Sequence, residues 1–258
     1  MKAGVDFGTT LVKAVWNNRD YRFASTADYG FDEIMAEMKA DGIRQINAAG
    51  INTAELQGFE IHRKQGDIIE NEIKMQANGA RELLRVSGSP LEKFLLVSIG
   101  TGTSYTFVDK TIEKCPFGNS ISGGFMLGLG KLLGAKDCKD IETRAMSAEA
   151  MDLKIKDIAP EKAGTFEGEL VIASFGKKNI TLNDAFASIV HTVAVATVRD
   201  VALIGRDFNN VAYIGTPIGK NKVLKNYLEA YTMAIGRKPY FPEKGEYSLA
   251  LGAFLEAE

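Results

Sequence analysis

The first glycine turn of the sequence carries side chains that could bind phosphate. The run GVDFGTTLVK places Asp6 before Gly8, which is followed by two threonines and then by Lys13. Backbone amides at a glycine turn, threonine hydroxyls and a lysine ammonium can all contact phosphate oxygens. Asp6 could hold Mg²⁺ through water, since this ion usually keeps several water ligands. The alternative is a plain hairpin turn in which Asp6 bonds its own backbone.

A second turn rich in hydroxyl groups occurs in IGTGTS, residues 99–104. Its glycines allow the backbone to approach a ligand closely, and its threonines and serine leave the same turn. Alone, this pattern predicts only a tight hairpin. Together with the first turn, it predicts a clamp for a polyphosphate, with the two turns facing each other across a cleft. The sequence contains neither a Walker A loop nor a Rossmann glycine fingerprint.

Two more glycine-containing segments could contact a nucleotide. In SGGFMLGLG, Ser122 stands where it could cap a helix that begins at Gly123-Gly124. The amides and the dipole of that helix start would favour an anion, although the glycines would equally allow close helix packing. VAYIGTP, residues 211–217, predicts a buried strand that ends at Gly215-Thr216. That placement suits contact with a nucleotide base.

The elements that must position these turns follow an α/β pattern. Short strands are predicted within 3–28 and 44–50, and the strand–turn–strand pattern returns in FLLVSIGTGTSYTFVD after the turn at Gly88-Ser89-Pro90. Two strand–turn–strand lobes with a cleft between them are therefore expected. Apolar spacing predicts helices over 32–40, 67–86, 122–134, 139–152, 183–205, 220–236 and the C-terminal run YSLALGAFLEAE.

Composition excludes several classes of function. The 258 residues carry a net charge of −2, so no basic excess exists to bind nucleic acid. No apolar run approaches the ~20 residues that span a membrane, and the N-terminus lacks a signal-peptide core, so we expect a cytoplasmic protein. Cys115, Cys138, His62 and His191 are too few to build a zinc or iron–sulfur cluster. Both histidines are expected to be structural.

Taken in order, the motifs resemble the type II (eukaryotic-like) pantothenate kinases of the actin/sugar-kinase ATPase superfamily. The resemblance implies a two-lobed α/β fold, actin-like or ribonuclease H-like, with a cleft between the lobes. Residues 1–88 would hold the first phosphate hairpin and the catalytic helix. Residues 89–258 would hold the second hairpin, the glycine-rich nucleotide helix and a dimer helix. The matching pieces are GVDFGTTLVKAV, NEIKMQANGARELL, VSIGTGTS, SGGFMLGLG, MDLKIKDI, ASFGK, VAYIG and RKPYF…GEYSLALGAFLE.

The resemblance also implies a reaction, the ATP-dependent and Mg²⁺-dependent phosphorylation of pantothenate at the entry to coenzyme A synthesis. It aligns the general base with Glu72 in NEIKMQANG, where the alternative is a solvated helix charge, and Glu70 serves as the control. Asp6 would hold the Mg²⁺ through water. The acceptor would contact Thr103, Ser104 and Lys114. ATP would contact Asp6, Phe7, Gly8, Thr9, Thr10, Leu11, Val12, Lys13, Thr101, Gly123, Gly124, Phe125, Met126 and Thr216.

Partners follow from the same resemblance. It implies a pantothenate-like small molecule as substrate and a homodimer formed through long helices, and it allows a coenzyme A or acyl-CoA effector. The apolar stripe of residues 183–205 is expected to be core or dimer interface.

One position departs from the family. Its arginine for the carboxylate side of the acceptor corresponds to Cys115, a small apolar side chain, with Lys114 beside it. A lysine cannot reproduce the two-pronged contact of an arginine. A kinase of a related alcohol such as pantetheine is therefore an alternative. So are a nucleotide- or acyl-CoA-binding regulator without catalysis and the ATPase activator of an acyl-CoA dehydratase, which needs cluster-binding cysteines. The alignment at Cys138 stays open.

Overall fold

The computed structural model describes residues 1–8, 11–18, 20–50, 58–179 and 181–256. Packing divides the chain into two compact units. One contains residues 1–96, 106–115 and 241–258, and the other contains residues 97–105 and 116–240. The division into lobes 1–88 and 89–258 stays a prediction.

The strands and helices alternate as the sequence pattern predicts. The strands are β1 Lys2–Phe7, β2 Val12–Asn18, β3 Asp20–Ser25, β4 Gln45–Ala49, β5 Glu60–His62, β6 Phe94–Ile99, β7 Thr103–Val108, β8 Ile112–Asn119, β9 Leu153–Lys154, β10 Val171–Ala173, β11 Asn210–Ile214 and β12 Lys238–Tyr240. The helices are α1 Phe31–Ala40, α2 Ile68–Val86, α3 Gly123–Leu132, α4 Cys138–Met146, α5 Ile155–Ile158, α6 Leu182–Ile204, α7 Thr216–Lys220, α8 Lys222–Ala234 and α9 Ser248–Leu255.

The strands form two five-stranded sheets and one small pair. The first sheet has the order β3-β2-β1-β4-β5, the second has the order β12-β11-β6-β7-β8, and β9 pairs with β10. In the first sheet, β1 runs antiparallel to β2 and parallel to β4, and β4 runs parallel to β5. The carboxyl ends of β1, β4 and β5 therefore meet at one edge of this sheet, where ligand sites of parallel strands are commonly found.

In the first unit, α2 and α9 pack with their backbones in close contact. A Cβ atom on Gly79 would lie 1.8 Å from the carbonyl oxygen of Ser248, and one on Gly252 would lie 1.8 Å from that of Met75. These glycines are required because no side chain fits between the helices. Helix α2 begins where Asp67 accepts a 2.9 Å hydrogen bond from the amide of Glu70, and it ends at Ser87.

In the second unit, α6 forms the core. Thr181 and Asp184 make a reciprocal cap at its start, and the helix packs against α4 and α8. Within the described part of the chain, α6 alone is long and apolar enough to cross a membrane, but 61% of its apolar window is buried inside the structure. Such burial is what a core helix shows, and it confirms that the stripe of residues 183–205 belongs to the core.

In the second unit, one sequence-based expectation needs correction and another is confirmed. The polar helix expected over 139–152 ends at Met146, because Ser147 caps it and the chain then turns. Asp152 is fully buried, accepts a 2.7 Å hydrogen bond from the amide of Phe175 and contacts the ring of His191. His191 also contacts the hydroxyl of Tyr231, which confirms a structural histidine.

Candidate active site

The end of the first strand carries a buried ion pair. Asp6 and Lys13 lie opposite each other in the antiparallel register of β1 and β2, and their charged groups are 3.7 Å apart. Asp6 is only 8% exposed. Burial raises the pKa of its carboxyl, the ammonium of Lys13 lowers it, and the nearby carboxylate of Glu72 raises it, with a net rise. The first turn thus carries a carboxyl group and an ammonium group side by side.

The rest of the first turn is closed by backbone packing. A Cβ atom on Gly8 would lie 2.7 Å from the carbonyl oxygen of Leu11, so only glycine fits there. The side chain of Phe7 is buried in the core, and the amide of Val12 donates a 2.9 Å hydrogen bond to Thr26. The side chain of Phe7 and the amide of Val12 are therefore both engaged within the protein. The predicted ligands Thr9 and Thr10 lie outside the described residues.

Glu72 lies on the first turns of α2 and is fixed by the end of β4. Its Oε1 accepts a 2.9 Å hydrogen bond from the amide of Gly50. Gly50 has a φ of +93°, and a Cβ there would lie 2.4 Å from the carbonyl oxygen of Phe7. The Gly50 backbone thus connects the ends of β1 and β4 to the Glu72 carboxylate.

Glu70 lies in a different environment on the same helix. It is exposed, and its carboxylate forms a 2.6 Å ion pair with Lys74 one turn further along α2. Such a pair on a helix surface contributes only a few tenths of a kcal/mol, about 0.3–0.5. Of these two glutamates, Glu72 is the one that shares its surroundings with Asp6.

In the second unit, the turn between β6 and β7 packs against the start of α3. The amide of Gly100 bonds the carbonyl of Gly102, and the amide of Gly124 bonds the carbonyl of Thr101, both at 2.9 Å. A Cβ atom on Gly123 would lie 2.4 Å from the carbonyl oxygen of Gly100 and 2.8 Å from Pro217. Gly123 and Gly124 at the start of α3 therefore serve close packing. They bring together the predicted nucleotide contacts Thr101, Gly123, Gly124 and, next to Pro217, Thr216.

Ser122 corrects one expectation at this helix start. It occupies the capping position, but its side chain makes no capping hydrogen bond. Instead, its hydroxyl accepts a 2.8 Å hydrogen bond from Thr103 and donates to the carbonyl of Gly100 at 3.3 Å. The hydroxyl of Thr103, expected at the acceptor, is therefore bonded inside the protein, and Thr103 is 3% exposed.

The remaining predicted residues differ in exposure. Met126 is fully buried, Phe125 and Leu11 are half-buried, and Ser104 is half-buried on β7. Lys114 on β8 is exposed, whereas its neighbour Cys115 is only 1% exposed. The interpretation of Cys115 as an apolar filler is thereby confirmed. No bound anion could be held by its side chain, because the thiol carries no positive charge and is buried.

A metal ion at this site would have few protein ligands. Across the described ranges, no group of three or more histidine, cysteine, aspartate or glutamate residues could hold a metal ion. Asp6 fits Mg²⁺, which binds proteins through one or two carboxylates and keeps water and phosphate as its other ligands. The residues at this edge thus suit a metal that arrives with a phosphate, and they do not form a protein cage.

Sequence reasoning missed Arg63, which follows β5 at the same edge of the first sheet. Its guanidinium donates a 3.4 Å hydrogen bond to the carbonyl of Gly50. The sequence signal for a strand before Arg63 is weak, because β5 has only three residues, with an exposed–half-buried–exposed pattern, and three residues do not show a clear alternation. An arginine after such a segment is usually a solvated surface charge.

Comparison with known proteins gives a consistent family and fold. The model of the Fumble family matches residues 69–256. The type II pantothenate kinase of Staphylococcus epidermidis is 30% identical over 267 aligned residues, which cover 98% of this chain and 99% of that protein. That of Staphylococcus aureus is 28% identical, covering 98% of each chain.

Two solved structures agree with the fold. The activator of the 2-hydroxyisocaproyl-CoA dehydratase from Clostridium difficile, with bound ADPNP, is 16% identical with a TM-score of 0.63, covering 98% of this chain and 92% of that one. A glucokinase of the ROK family from Streptomyces griseus, in complex with glucose and AMPPNP, is 12% identical with a TM-score of 0.50, covering 98% and 97%. The expected α/β fold of actin-like ATPases is confirmed.

Proposed function

Because the chain belongs to the Fumble family of type II pantothenate kinases, we propose that it phosphorylates pantothenate with ATP. The γ-phosphoryl group passes to the primary hydroxyl, and 4′-phosphopantothenate and ADP leave. This is the first step of coenzyme A biosynthesis. The observation that carries the proposal is the Glu72 carboxylate, held by the Gly50 amide beside the Asp6–Lys13 pair.

Glu72 acts as the general base. The hydrogen bond from the Gly50 amide fixes the position of the Glu72 Oε1. It takes the proton of the acceptor hydroxyl as the oxygen attacks the γ-phosphorus. The bond from this phosphorus to the β–γ bridging oxygen breaks, and its electrons stay with ADP. Phosphoryl transfer needs positioning and charge stabilisation, so no covalent nucleophile is required.

The phosphates are bound by the two glycine turns. Lys13 supplies a positive charge, and the turn amides supply donors aimed at phosphate oxygens. In the second unit, Thr101 and the start of α3 contact the phosphates, while Thr216 lies near the adenosine. Asp6 would hold Mg²⁺ through water, and the ion would supply further charge neutralisation at the phosphates.

One of the alternative functions can be weighed against the structure. A dehydratase activator needs cysteines that reach a cluster shared between subunits, and the 1% exposure of Cys115 speaks against that role. A homodimer, a cytoplasmic location and control by a coenzyme A species are parts of the same proposal. They follow from the family alone.

The test compares Glu72→Gln with Glu70→Gln. Loss of a general base lowers kcat by about two to four orders of magnitude, whereas Glu70 is an exposed ion-pair residue and its substitution is expected to be nearly neutral. Turnover is measured with pantothenate and labelled ATP, and nucleotide binding by thermal shift with Mg-ATP. Equal kcat values in the two variants would remove Glu72 from the mechanism.

A further inference from the structure

A cavity of about 210 Å³ opens at the edge of the first sheet beside Glu72. It lies within the first unit, and its lining includes Gly50, Arg63, Lys64 and Met75. A second cavity of about 370 Å³ shares Ala48, Arg63, Lys64 and Met75 with it, so the two cavities adjoin; together they are called the groove. Arg63 and the candidate base therefore line the same space.

Arg63 brings a positive charge to this groove. Among the described residues, its guanidinium donates a hydrogen bond only to the Gly50 carbonyl, at a long 3.4 Å, and forms no ion pair with a carboxylate. The neighbouring cations are different. Lys64 is paired with Glu256 at 2.5 Å, and Lys13 is paired with Asp6. With respect to the described part of the chain, most of the donors of Arg63 are thus available to a ligand.

Gly50 fixes the spacing between the two groups. Its amide donates to Glu72, and its carbonyl accepts from Arg63. With ordinary backbone dimensions, these two contacts place the carboxylate and the guanidinium within about 10 Å of each other. They are nevertheless unpaired, since no ion pair joins them within the described residues. An acceptor with a hydroxyl at one end and an anionic group at the other can contact both.

We propose that Arg63 binds the carboxylate of an acidic acceptor while Glu72 contacts its hydroxyl, so that the enzyme selects acids over neutral alcohols. This inference rests on the proposed kinase function and names the group that recognises its substrate. A planar guanidinium matches a carboxylate with two parallel hydrogen bonds, which a lysine cannot do. Cys115, uncharged and 1% exposed, cannot provide that contact.

The experiment measures kcat and KM for pantothenate and for pantothenol, in which a neutral hydroxymethyl group replaces the carboxylate. Arg63→Gln should raise the KM for pantothenate about tenfold or more, because a charge-assisted hydrogen bond is lost. The kcat for pantothenate should change less than about threefold, since the contact persists in ground and transition states. In Arg63→Gln, the ratio of the KM for pantothenol to the KM for pantothenate should therefore fall. Arg63→Lys keeps the charge, so its KM for pantothenate should lie between those of the wild type and Arg63→Gln.

The matched control is Arg85→Gln. Arg85 is an exposed arginine of α2 that pairs with Glu82 at 2.7 Å, outside the groove. Its substitution should leave both KM values unchanged.

Three results would overturn the inference. They are an unchanged KM for pantothenate in Arg63→Gln, an equal rise for both acceptors, and a wild-type enzyme that does not favour the acid. In each of these cases the wild-type enzyme still phosphorylates pantothenate. A wild-type enzyme that phosphorylates neither acceptor refutes the proposed function itself, and the inference with it.

Discussion

The substitution Gly79→Ala is expected to push α2 away from α9. A Cβ atom at this position would lie 1.8 Å from the carbonyl oxygen of Ser248 and 2.8 Å from the amide nitrogen of Gly252. Both are backbone atoms, so no side chain can turn aside to make room. The helices must separate, and α2 carries Glu72 two turns before Gly79.

The magnitude follows from two opposing effects. An alanine in a helix interior is favoured over glycine by about 1 kcal/mol. Overpacking a tight contact costs about 1–3 kcal/mol, and the 1.8 Å approach requires the upper end of that range. The net loss is therefore about 2 kcal/mol. For a chain of this size, each kcal/mol lowers Tm by about 2–4 °C, so a fall of about 4–8 °C is expected.

The assay is a thermal melt of Gly79→Ala beside Gly128→Ala. Gly128 lies inside α3 with nothing within 4 Å of its Cβ position, so the same substitution there gains helix propensity at no packing cost. Gly128→Ala should melt at or above the wild-type temperature. A Gly79→Ala variant that melts as high as wild type would refute the close packing of α2 on α9.

Three more substitutions have definite expected outcomes. Asp6→Asn should lower kcat at least about a hundredfold without lowering Tm, because burial disfavours its charge and raises its pKa; activity and Tm are measured together. Cys115→Arg should lower Tm by more than about 6 °C, since it buries a charge at a 1% exposed site, while Lys114→Gln at the exposed neighbour should change little. Ion pairs with two lysines hold the pKa of Glu169 at about 2, below its usual 4.5. This stabilisation is present above pH 4.5 and is lost as the pH falls towards 2, so Glu169→Gln should lower Tm at pH 7 and not at pH 2.

The periodic elements of this fold could be predicted from the sequence. Strands β1, β2 and β4 and helix α6 follow apolar patterns long enough to be distinctive, and the expected ranges agree with the structure within a few residues. Strand β8 could not be found in this way, since only Cys115 within it is buried and Pro116 interrupts the run. Tertiary pairing, rather than local sequence, makes that segment a strand.

The candidate site also has residues that the sequence indicates and contacts that only the tertiary structure shows. Asp6 and Lys13 could be proposed from the residue types at the first glycine turn, and Glu72 from motif order and spacing that resemble a known family; their roles stay predictions. The hydroxyl of Ser122 was assigned to a helix cap because serine favours that position, but its bonds to Thr103 and Gly100 are long-range contacts that local preference does not contain. The position of Arg63 depends on the parallel pairing of β4 and β5, which sequence spacing does not encode.

The most direct test of the account is to incubate the wild-type chain with pantothenate, ATP and Mg²⁺ and to follow phosphorus by ³¹P NMR. We expect one new phosphomonoester signal, on the primary hydroxyl of pantothenate, that grows in step with ADP and grows at least about a hundredfold more slowly with Glu72→Gln. ADP formed without phosphorylated pantothenate, or a phosphoester signal of equal rate with Glu72→Gln, would contradict it.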